Sequence, residues 1–172
     1  AAERLGPLKF HAFLNDFFCD IARPIINHGG EIYKYVGDEV IITWQEKYAG
    51  SAHDPLTVFF DIDDVVRKRH NYYTARYGLI PKFRAGLHFG TIVAGEMGLT
   101  RQEIAYSGDV MNTAARIQSE CRLRNEIFLV SDDALSRLKE RADFPSSVII
   151  VSHGTVSLRG KSSELAISSV RL

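Results

Sequence analysis

The first part of the chain has apolar residues at steps of three and four. Between Leu8 and Ile25 they stand at positions 8, 10, 13, 14, 17, 18, 21 and 25. This spacing collects them on one side of an α-helix, so the pattern predicts an amphipathic helix. Gly29 and Gly30 follow soon after, and glycine beyond a periodic run is typical of a helix end.

After the glycines the pattern changes to two short β-prone runs. Residues 31–36, EIYKYV, and residues 39–44, EVIITW, are rich in Ile, Val, Tyr and Trp. Gly37 and Asp38 separate the two runs, and a two-residue connection with glycine first is typical of a type II′ hairpin turn. The sequence therefore predicts a β-hairpin.

Helices and strands alternate in the rest of the chain. The segment HDPLTVFFDIDDVVRKRHNYYTARYG starts with Asp-Pro and ends at Gly78, which predicts a second long helix. The pattern then predicts two strands broken at Gly90, a strand EIAYSG, a helix DVMNTAARIQSECR with Asp109 as N-cap, a strand EIFLVS, a helix DDALSRLKERA and a terminal hairpin of SVIIVSHGTVSLRG and SELAISSVRL. This order predicts an α+β domain with a mixed sheet.

Composition narrows the functional classes only slightly. The chain has 172 residues, of which 45% are hydrophobic and 24% charged, as is typical of one globular domain. Lys+Arg and Asp+Glu number 21 each, so net charge gives no support for a nucleic-acid partner. No apolar run approaches the ~18 residues of a membrane span. Cys19 and Cys121 match no metal-ligand spacing and are expected to be reduced thiols.

Three segments carry the candidate chemistry. GGEIYKYVGDEVIITW, FRAGLHFGTIVAGEMG and YSGDVMNTAARIQ together resemble the catalytic domain of class III nucleotidyl cyclases, the adenylate and guanylate cyclase family. The resemblance implies a ferredoxin-like α+β fold with a mixed, mainly antiparallel sheet, in one catalytic domain over residues 1–172. It also implies conversion of ATP to 3′,5′-cyclic AMP and pyrophosphate, through attack of the ribose 3′-hydroxyl on the α-phosphorus.

That reaction depends on positioning and charge neutralisation rather than covalent help. The family holds two Mg²⁺ or Mn²⁺ ions on two aspartates, and Asp38 matches one of them. A turn tip exposes a carboxylate at modest desolvation cost, although Asp is also common in turns for its local hydrogen bonds. The other aspartate lies on a strand before the family's first helix. We expect that strand and its carboxylate to be missing from these residues, and little or no activity from the chain as it stands.

Several other aspartates lie inside the predicted helices. The sequence FFDIDD, with Asp61 and Asp64, superficially imitates the family's Phe-x-Asp-Ile pattern. It follows the hairpin instead of preceding it, so we expect Asp61 and Asp64 to lie on a solvated helix face. We expect the same of Asp16 and Asp20 on the first helix.

The resemblance assigns the purine contact to Lys34. A lysine can donate to N1 of adenine, whereas readers of guanine usually have Glu at this position, so Lys34 favours ATP; the alternative is a lysine on a solvated strand face. Adenine-specific members also have Asp or Thr seven residues before the catalytic Asn, where this chain has Ala105. Tyr106, Ser107 or a backbone carbonyl are the alternatives for that contact.

Asn112 and Arg116 are spaced i, i+4 and so share a helix face. By the resemblance, Asn112 orients the ribose and Arg116 contacts the α-phosphate as charge builds in the transition state. Arginine suits this role because its planar guanidinium is always charged. Arg159 aligns with the family's triphosphate-binding lysine, and Lys161 is close by; both could instead be turn cations.

Further family positions are expected to be structural. His88 matches a histidine common in the family. Gly86, Gly90 and Gly95 are expected to permit sharp turns and close approach of strands.

The resemblance also implies a head-to-tail homodimer with its sites at the interface. Asp38 of one subunit would serve the same site as Lys34, Asn112 and Arg116 of its partner. We expect a cytoplasmic catalytic domain joined to a sensor or membrane domain in the parent protein.

Three alternatives stay open. The domain could be a guanylate cyclase, or a cyclase-like domain that binds nucleotide or a partner without turnover. The related diguanylate cyclases have less support, because no Gly-Gly pair directly precedes Asp38 and Glu39.

Overall fold

The computed structural model describes residues 2–46, 54–98, 103–141, 144–157 and 164–172. Within these ranges the chain has helices α1–α6 and strands β1–β8, and it divides into two compact units, residues 1–82 and 83–172. The expectation of a single catalytic domain over the whole chain stays a prediction.

The first unit combines helices with one hairpin. Its elements are α1 (Ala2–Leu5), α2 (Pro7–Asn27), β1 (Glu31–Val36), β2 (Glu39–Thr43), α3 (Thr57–Lys68) and α4 (His70–Tyr77). Helix α2 confirms the first predicted helix. Its buried residues include Phe13, Phe17, Ile21 and Ile25, which recur every four residues and form the apolar face that the pattern required.

The predicted hairpin is also confirmed. Strands β1 and β2 pair antiparallel, with Glu31 opposite Thr43 and Val36 opposite Glu39. Gly37 has a φ of +62°, the sign that the first position of a II′ turn requires. A register shift between Ile32 and Lys34 adds a bulge that the sequence pattern did not reveal.

The second predicted helix is interrupted. It was expected to be continuous, but α3 ends before Arg69, whose φ of −90° and ψ of 9° depart from helical geometry, and α4 begins after it. The Asp54 carboxylate accepts from the backbone N–H groups of Leu56 and Thr57 at 2.9 and 3.2 Å and so starts α3. Gly78 ends α4 in the left-handed conformation, as predicted.

The expectation for the aspartates of α2 was wrong. Asp16 accepts hydrogen bonds from the hydroxyls of Tyr72 and Tyr77 at 2.6 and 2.5 Å, and Asp20 accepts one from Tyr73 at 2.5 Å. The side chains of Asp16 and Asp20 are only 21% and 15% exposed. The physical reason is that α4 brings tyrosine hydroxyls to a helix face that would otherwise face water.

On α3 the expectation of a solvated face is met at one aspartate and not at the other. Asp64 pairs with Lys68 on the same helix at 2.5 Å, and its side chain is 42% exposed. Asp61 is half-exposed but contacts Nε2 of His28 at 2.7 Å. It therefore links α3 to the end of α2.

The second unit contains the larger sheet. Its elements are β3 (Ala85–Leu87), β4 (Val93–Met97), β5 (Glu103–Ser107), α5 (Val110–Leu123), β6 (Phe128–Ser131), α6 (Asp132–Lys139), β7 (Ile149–Ser157) and β8 (Glu164–Arg171). Four strands form a sheet in the order β3-β6-β8-β7, with β3 and β6 parallel and the other neighbours antiparallel; β4 and β5 form a separate antiparallel pair. The mixed, mainly antiparallel α+β class is thus confirmed.

Helix α5 packs its apolar side against this sheet. Ile117 and Cys121 of α5 form a buried cluster with Leu129, Val156 and Ile167 of the strands. Burial of these side chains fixes the rotation of α5 about its axis, and therefore decides which of its residues remain accessible.

Two simpler expectations can be compared with the structure. Cys19 is exposed and Cys121 is buried, and both are free thiols as predicted. Among the helices of the described residues, none has the length and apolarity to cross a membrane.

Candidate active site

The hairpin of the first unit presents two of the predicted site residues to solvent. Lys34 is exposed in β1 and lies opposite Ile41 of β2, while Asp38 is exposed at the tip directly after Gly37. The ring of Tyr35 packs at a tilt of 40° against that of Phe18 in α2, with 4.5 Å between centroids. The hairpin is therefore anchored on α2 and leaves its charged groups accessible.

Asp38 has the chemistry of a magnesium ligand. Mg²⁺ prefers oxygen and is commonly held by one or two carboxylates together with phosphate oxygens of the substrate. Within the described parts of the chain, no group of three or more His, Cys, Asp or Glu side chains gathers as a metal site. Asp38 is therefore a single exposed carboxylate that would hold a metal together with other ligands.

Helix α5 carries the second pair of candidates. Asn112 is exposed and Arg116 is partly exposed, and each directly precedes a fully buried residue, Thr113 and Ile117. The backbone N–H and the hydroxyl of Thr113 both donate to the carbonyl of Asp109, at 2.8 and 2.7 Å. The first turn of α5 is therefore well fixed, and its N-terminal end attracts anions through the helix dipole.

Gly86 allows α5 to lie close to the sheet. A Cβ atom on Gly86 would stand 2.4 Å from the carbonyl oxygen of Ala114 and 2.4 Å from the amide nitrogen of Gln118. At Gly90 a Cβ would stand 2.7 Å from the side chain of Val110. Close approach is confirmed at these two glycines, but the neighbour at both is helix α5, which begins at Val110, and not a strand as expected.

The same expectation was wrong for Gly95. A Cβ there would meet nothing within 4 Å. Gly95 lies in the exposed strand β4, so no packed neighbour requires the absence of a side chain.

Ala105 and Tyr106 lie in β5, just before the turn into α5. They pair with Gly95 and Ala94 of β4, and both are partly exposed. Gly108 follows with a φ of +148° and leads into the helix. Ala105 and Tyr106, the candidates for contact with the purine base, thus lie in the same continuous strand–turn–helix segment as Asn112.

The structural role expected for His88 is confirmed. Its Nδ1 lies 2.8 Å from the hydroxyl oxygen of Ser131, and that oxygen also accepts from the backbone N–H of Ala134 at 3.3 Å. Ser131 caps α6, so His88 ties the loop after β3 to the start of this helix.

The structure sorts the predicted residues into two groups. Lys34 and Asp38 share the hairpin of the first unit, whereas four residues lie on the consecutive elements β5 and α5 of the second unit: Ala105, Tyr106, Asn112 and Arg116. Arg159 and Lys161 lie outside the described residues.

The sequence of the chain matches a known protein family. A model of the adenylate and guanylate cyclase catalytic domain matches residues 1–167. The chain therefore belongs to this family and is a class III nucleotidyl cyclase catalytic domain.

Several proteins that are similar to this chain are adenylate cyclases. Adenylate cyclase 2 of Rhizobium meliloti (strain 1021) is 36% identical over 98% of this chain, and an adenylate cyclase of Anabaena cylindrica is 26% identical over 99% of it. The matched regions make up 46% and 34% of those proteins, so the chain spans less than half of each. The crystal structure of the adenylyl cyclase CyaB from P. aeruginosa has the same fold, with a TM-score of 0.79 and 21% identity over 99% of this chain and 86% of that one.

Sequence reasoning missed three residues around the base of the hairpin. His28 and Trp44 received no role, and Asp61 was expected to face solvent alone. One signal was available: Trp44 is the only tryptophan of the chain, and it directly follows β2, the second strand of a hairpin whose first strand begins after Gly30.

Proposed function

We propose that this domain is an adenylate cyclase, which converts ATP to 3′,5′-cyclic AMP and pyrophosphate. The observation that carries the choice of ATP is the exposed position of Lys34 in the hairpin. Its ammonium group can donate to N1 of adenine, which is an acceptor. N1 of guanine carries a hydrogen, so two donors would face each other there, and an unpaired donor in a closed site is costly.

The reaction forms one bond and breaks one. The ribose 3′-oxygen bonds to the α-phosphorus, the bond from that phosphorus to the pyrophosphate oxygen breaks, and the proton of the 3′-hydroxyl passes to water. Arg116 would contact the α-phosphate while its charge grows, and Asn112 would orient the ribose. Arg159 and Lys161 are proposed to bind the triphosphate.

Divalent metal chemistry belongs to the same proposal. Asp38 would hold Mg²⁺ or Mn²⁺, which neutralises phosphate charge when bound. A second carboxylate would come from the strand expected before the first helix. The site would form in a homodimer, with Asp38 from one subunit and Lys34, Asn112 and Arg116 from the other.

The sharpest test uses the parent protein's catalytic domain, extended upstream of Ala1. It is assayed with ATP and with GTP in the presence of Mn²⁺. Cyclic AMP as the main product is the expected result. Absence of any cyclic nucleotide would overturn the proposal, and cyclic GMP alone would replace it by a guanylate cyclase.

A guanylate cyclase is the second candidate because of Ala105. The methyl side chain of Ala105 has no hydrogen-bonding group for the 6-amino group of adenine, although Tyr106 is adjacent in β5. The product assay therefore decides between the two nucleotides.

The variant Asp38→Ala distinguishes a cyclase from a domain that binds nucleotide without turnover. The exposed tip position means that the fold should survive this change. A cyclase should lose its turnover at unchanged melting temperature, whereas binding of nucleotide by a non-catalytic module should hardly respond.

A further inference from the structure

We propose that His28 and Asp61 are positioning residues that hold the hairpin β1–β2 on the helices α2 and α3. This hairpin carries Lys34 and Asp38, so the pair would set where both groups stand at the nucleotide. In that respect the inference rests on the proposed function, while the holding of the hairpin can be tested without it.

The end of α2 is built as a Schellman motif. The N–H of Gly29 donates to the carbonyl of Ile26 at 3.0 Å, and that of Gly30 to the carbonyl of Ile25 at 2.9 Å. His28 occupies the C-cap position. Its carbonyl is one of the groups that a helix end leaves without an intrahelical partner.

Trp44 uses that carbonyl to fasten the hairpin. Its indole Nε1 donates to the carbonyl oxygen of His28 at 2.9 Å. Because Trp44 directly follows β2, this bond ties the end of the second strand to the end of α2. The start of the first strand is already tied there through the chain itself.

Packing around Gly30 fixes the indole further. A Cβ atom on Gly30 would stand 2.9 Å from both Cγ2 of Ile25 and Cζ2 of Trp44, and 3.0 Å from Cγ2 of Ile42. The indole ring therefore lies directly over the backbone at the start of the hairpin. Its orientation is determined by this contact together with the hydrogen bond to His28.

The side chain of His28 makes the second connection. Its Nε2 lies 2.7 Å from Oδ2 of Asp61 on α3, and its side chain is 18% exposed while that of Asp61 is 54% exposed. His28 thus holds the hairpin with its backbone and α3 with its ring. Because Asp61 is half in water, the bond contributes modestly to global stability, and the fold should tolerate its removal.

The length of the hairpin amplifies small movements at its base. Asp38 lies six residues before Trp44, which corresponds to about 20 Å at ~3.3 Å per residue. A tilt of about 5° at the base would move the tip by about 2 Å, and a misplacement of about 1 Å can cost a hundred-fold in rate. A two-stranded hairpin is also only marginally stable by itself, so its orientation depends on its base contacts together with the contact of Tyr35 with Phe18.

The test compares four variants with the wild type. His28→Ala and Asp61→Asn weaken the link, and His28→Gln keeps an amide that can still donate to Asp61. Asp64→Asn is the matched control. It neutralises a carboxylate of the same helix, and that carboxylate pairs with Lys68 of α3 and not with a residue of α2. All four are measured by hydrogen–deuterium exchange over residues 31–43 and by the emission of Trp44, the only tryptophan.

We expect His28→Ala to raise exchange in residues 31–43 by about three- to ten-fold, the effect of one lost and partly exposed hydrogen bond. In the parent catalytic domain the same variant should lower kcat by about ten-fold through displaced Asp38. It should also raise KM through displaced Lys34. His28→Gln should restore most of the exchange protection and turnover, and Asp64→Asn should match the wild type.

Each way in which the proposal could be wrong gives a different experimental result. Hairpin exchange in His28→Ala equal to that of the wild type would overturn the proposal. Faster exchange with kcat and KM unchanged would limit the pair to holding the hairpin and overturn its part in the reaction. A wild-type domain that makes no cyclic nucleotide would overturn the proposed function instead, and exchange alone would then decide whether the pair holds the hairpin.

Discussion

The backbone of Gly86 lies against the backbone of α5, so that a Cβ atom on Gly86 would stand 2.4 Å from the carbonyl oxygen of Ala114. The neighbour is backbone and has no rotamer to change. Gly86→Ala must therefore push α5 away from β3. We expect a loss of about 1–3 kcal/mol in the free energy of unfolding, as is typical of overpacking, together with reduced turnover because α5 carries Asn112 and Arg116.

Chemical denaturation of this domain and product assays on the parent catalytic domain measure these two effects. Gly95→Ala is the matched control, since a Cβ at Gly95 meets nothing within 4 Å. A Gly86→Ala variant as stable and active as Gly95→Ala would show that α5 does not depend on this close approach.

Asp16 should make stability depend on acid pH. Hydrogen bonds from Tyr72 and then from Tyr77 lower the pKa of Asp16, against a smaller effect of burial. The folded state therefore prefers the carboxylate, and this contribution to stability is fully present above the unfolded pKa of about 4. It is lost as the pH falls through the lower folded pKa, because the unfolded chain binds the proton first.

Asp16→Asn should accordingly destabilise the protein by about 1 kcal/mol at neutral pH. The difference from the wild type should shrink below about pH 4. Urea denaturation at a series of pH values measures this, with Asp63→Asn on α3 as control. A difference that stays constant down to pH 2 would contradict the assignment.

The two thiols should differ in reactivity. Burial raises the pKa of Cys121 to about 11, and its Sγ lies 3.3 Å from the carbonyl oxygen of Ala85. The reactive species is the thiolate, so at pH 8 the folded protein should react with a disulfide reagent only at the exposed Cys19. Unfolding should release the second thiol.

Counting reacted thiols before and after denaturation checks this expectation. In Cys19→Ser the native protein should show almost no reaction. Rapid reaction of native Cys19→Ser would mean that Cys121 becomes accessible through local opening.

Lys34 should determine the choice of nucleotide. Lys34→Glu replaces a donor by an acceptor, so the site should lose its partner for N1 of adenine and gain one for N1–H of guanine. We expect kcat/KM for ATP in the parent domain to fall by about ten- to a hundred-fold, as one lost hydrogen bond to the substrate implies. The ratio of cyclic GMP to cyclic AMP should rise.

Lys34→Gln provides the comparison, because an amide can still donate to adenine. Its melting temperature and ATP turnover should stay closer to the wild type than those of Lys34→Glu. Equal loss in both variants would assign Lys34 to phosphate charge instead of base selection.

Local patterns predicted the elements that depend on neighbouring residues alone. The apolar face of α2, the II′ hairpin with Asp38 at its tip and the shared helical face of Asn112 and Arg116 all follow from periodicity and turn chemistry. These features need no knowledge of what packs against them. For that reason the family could also be recognised from motifs in the sequence.

The partners of single side chains were decided by tertiary structure. Asp16 meets Tyr77, 61 residues away, and His28 meets Asp61, 33 residues away. An aspartate on the polar side of an amphipathic helix has the same local pattern whether it faces water or a tyrosine hydroxyl. Only the packing of a distant element, which buries the carboxylate and supplies its donor, makes the difference.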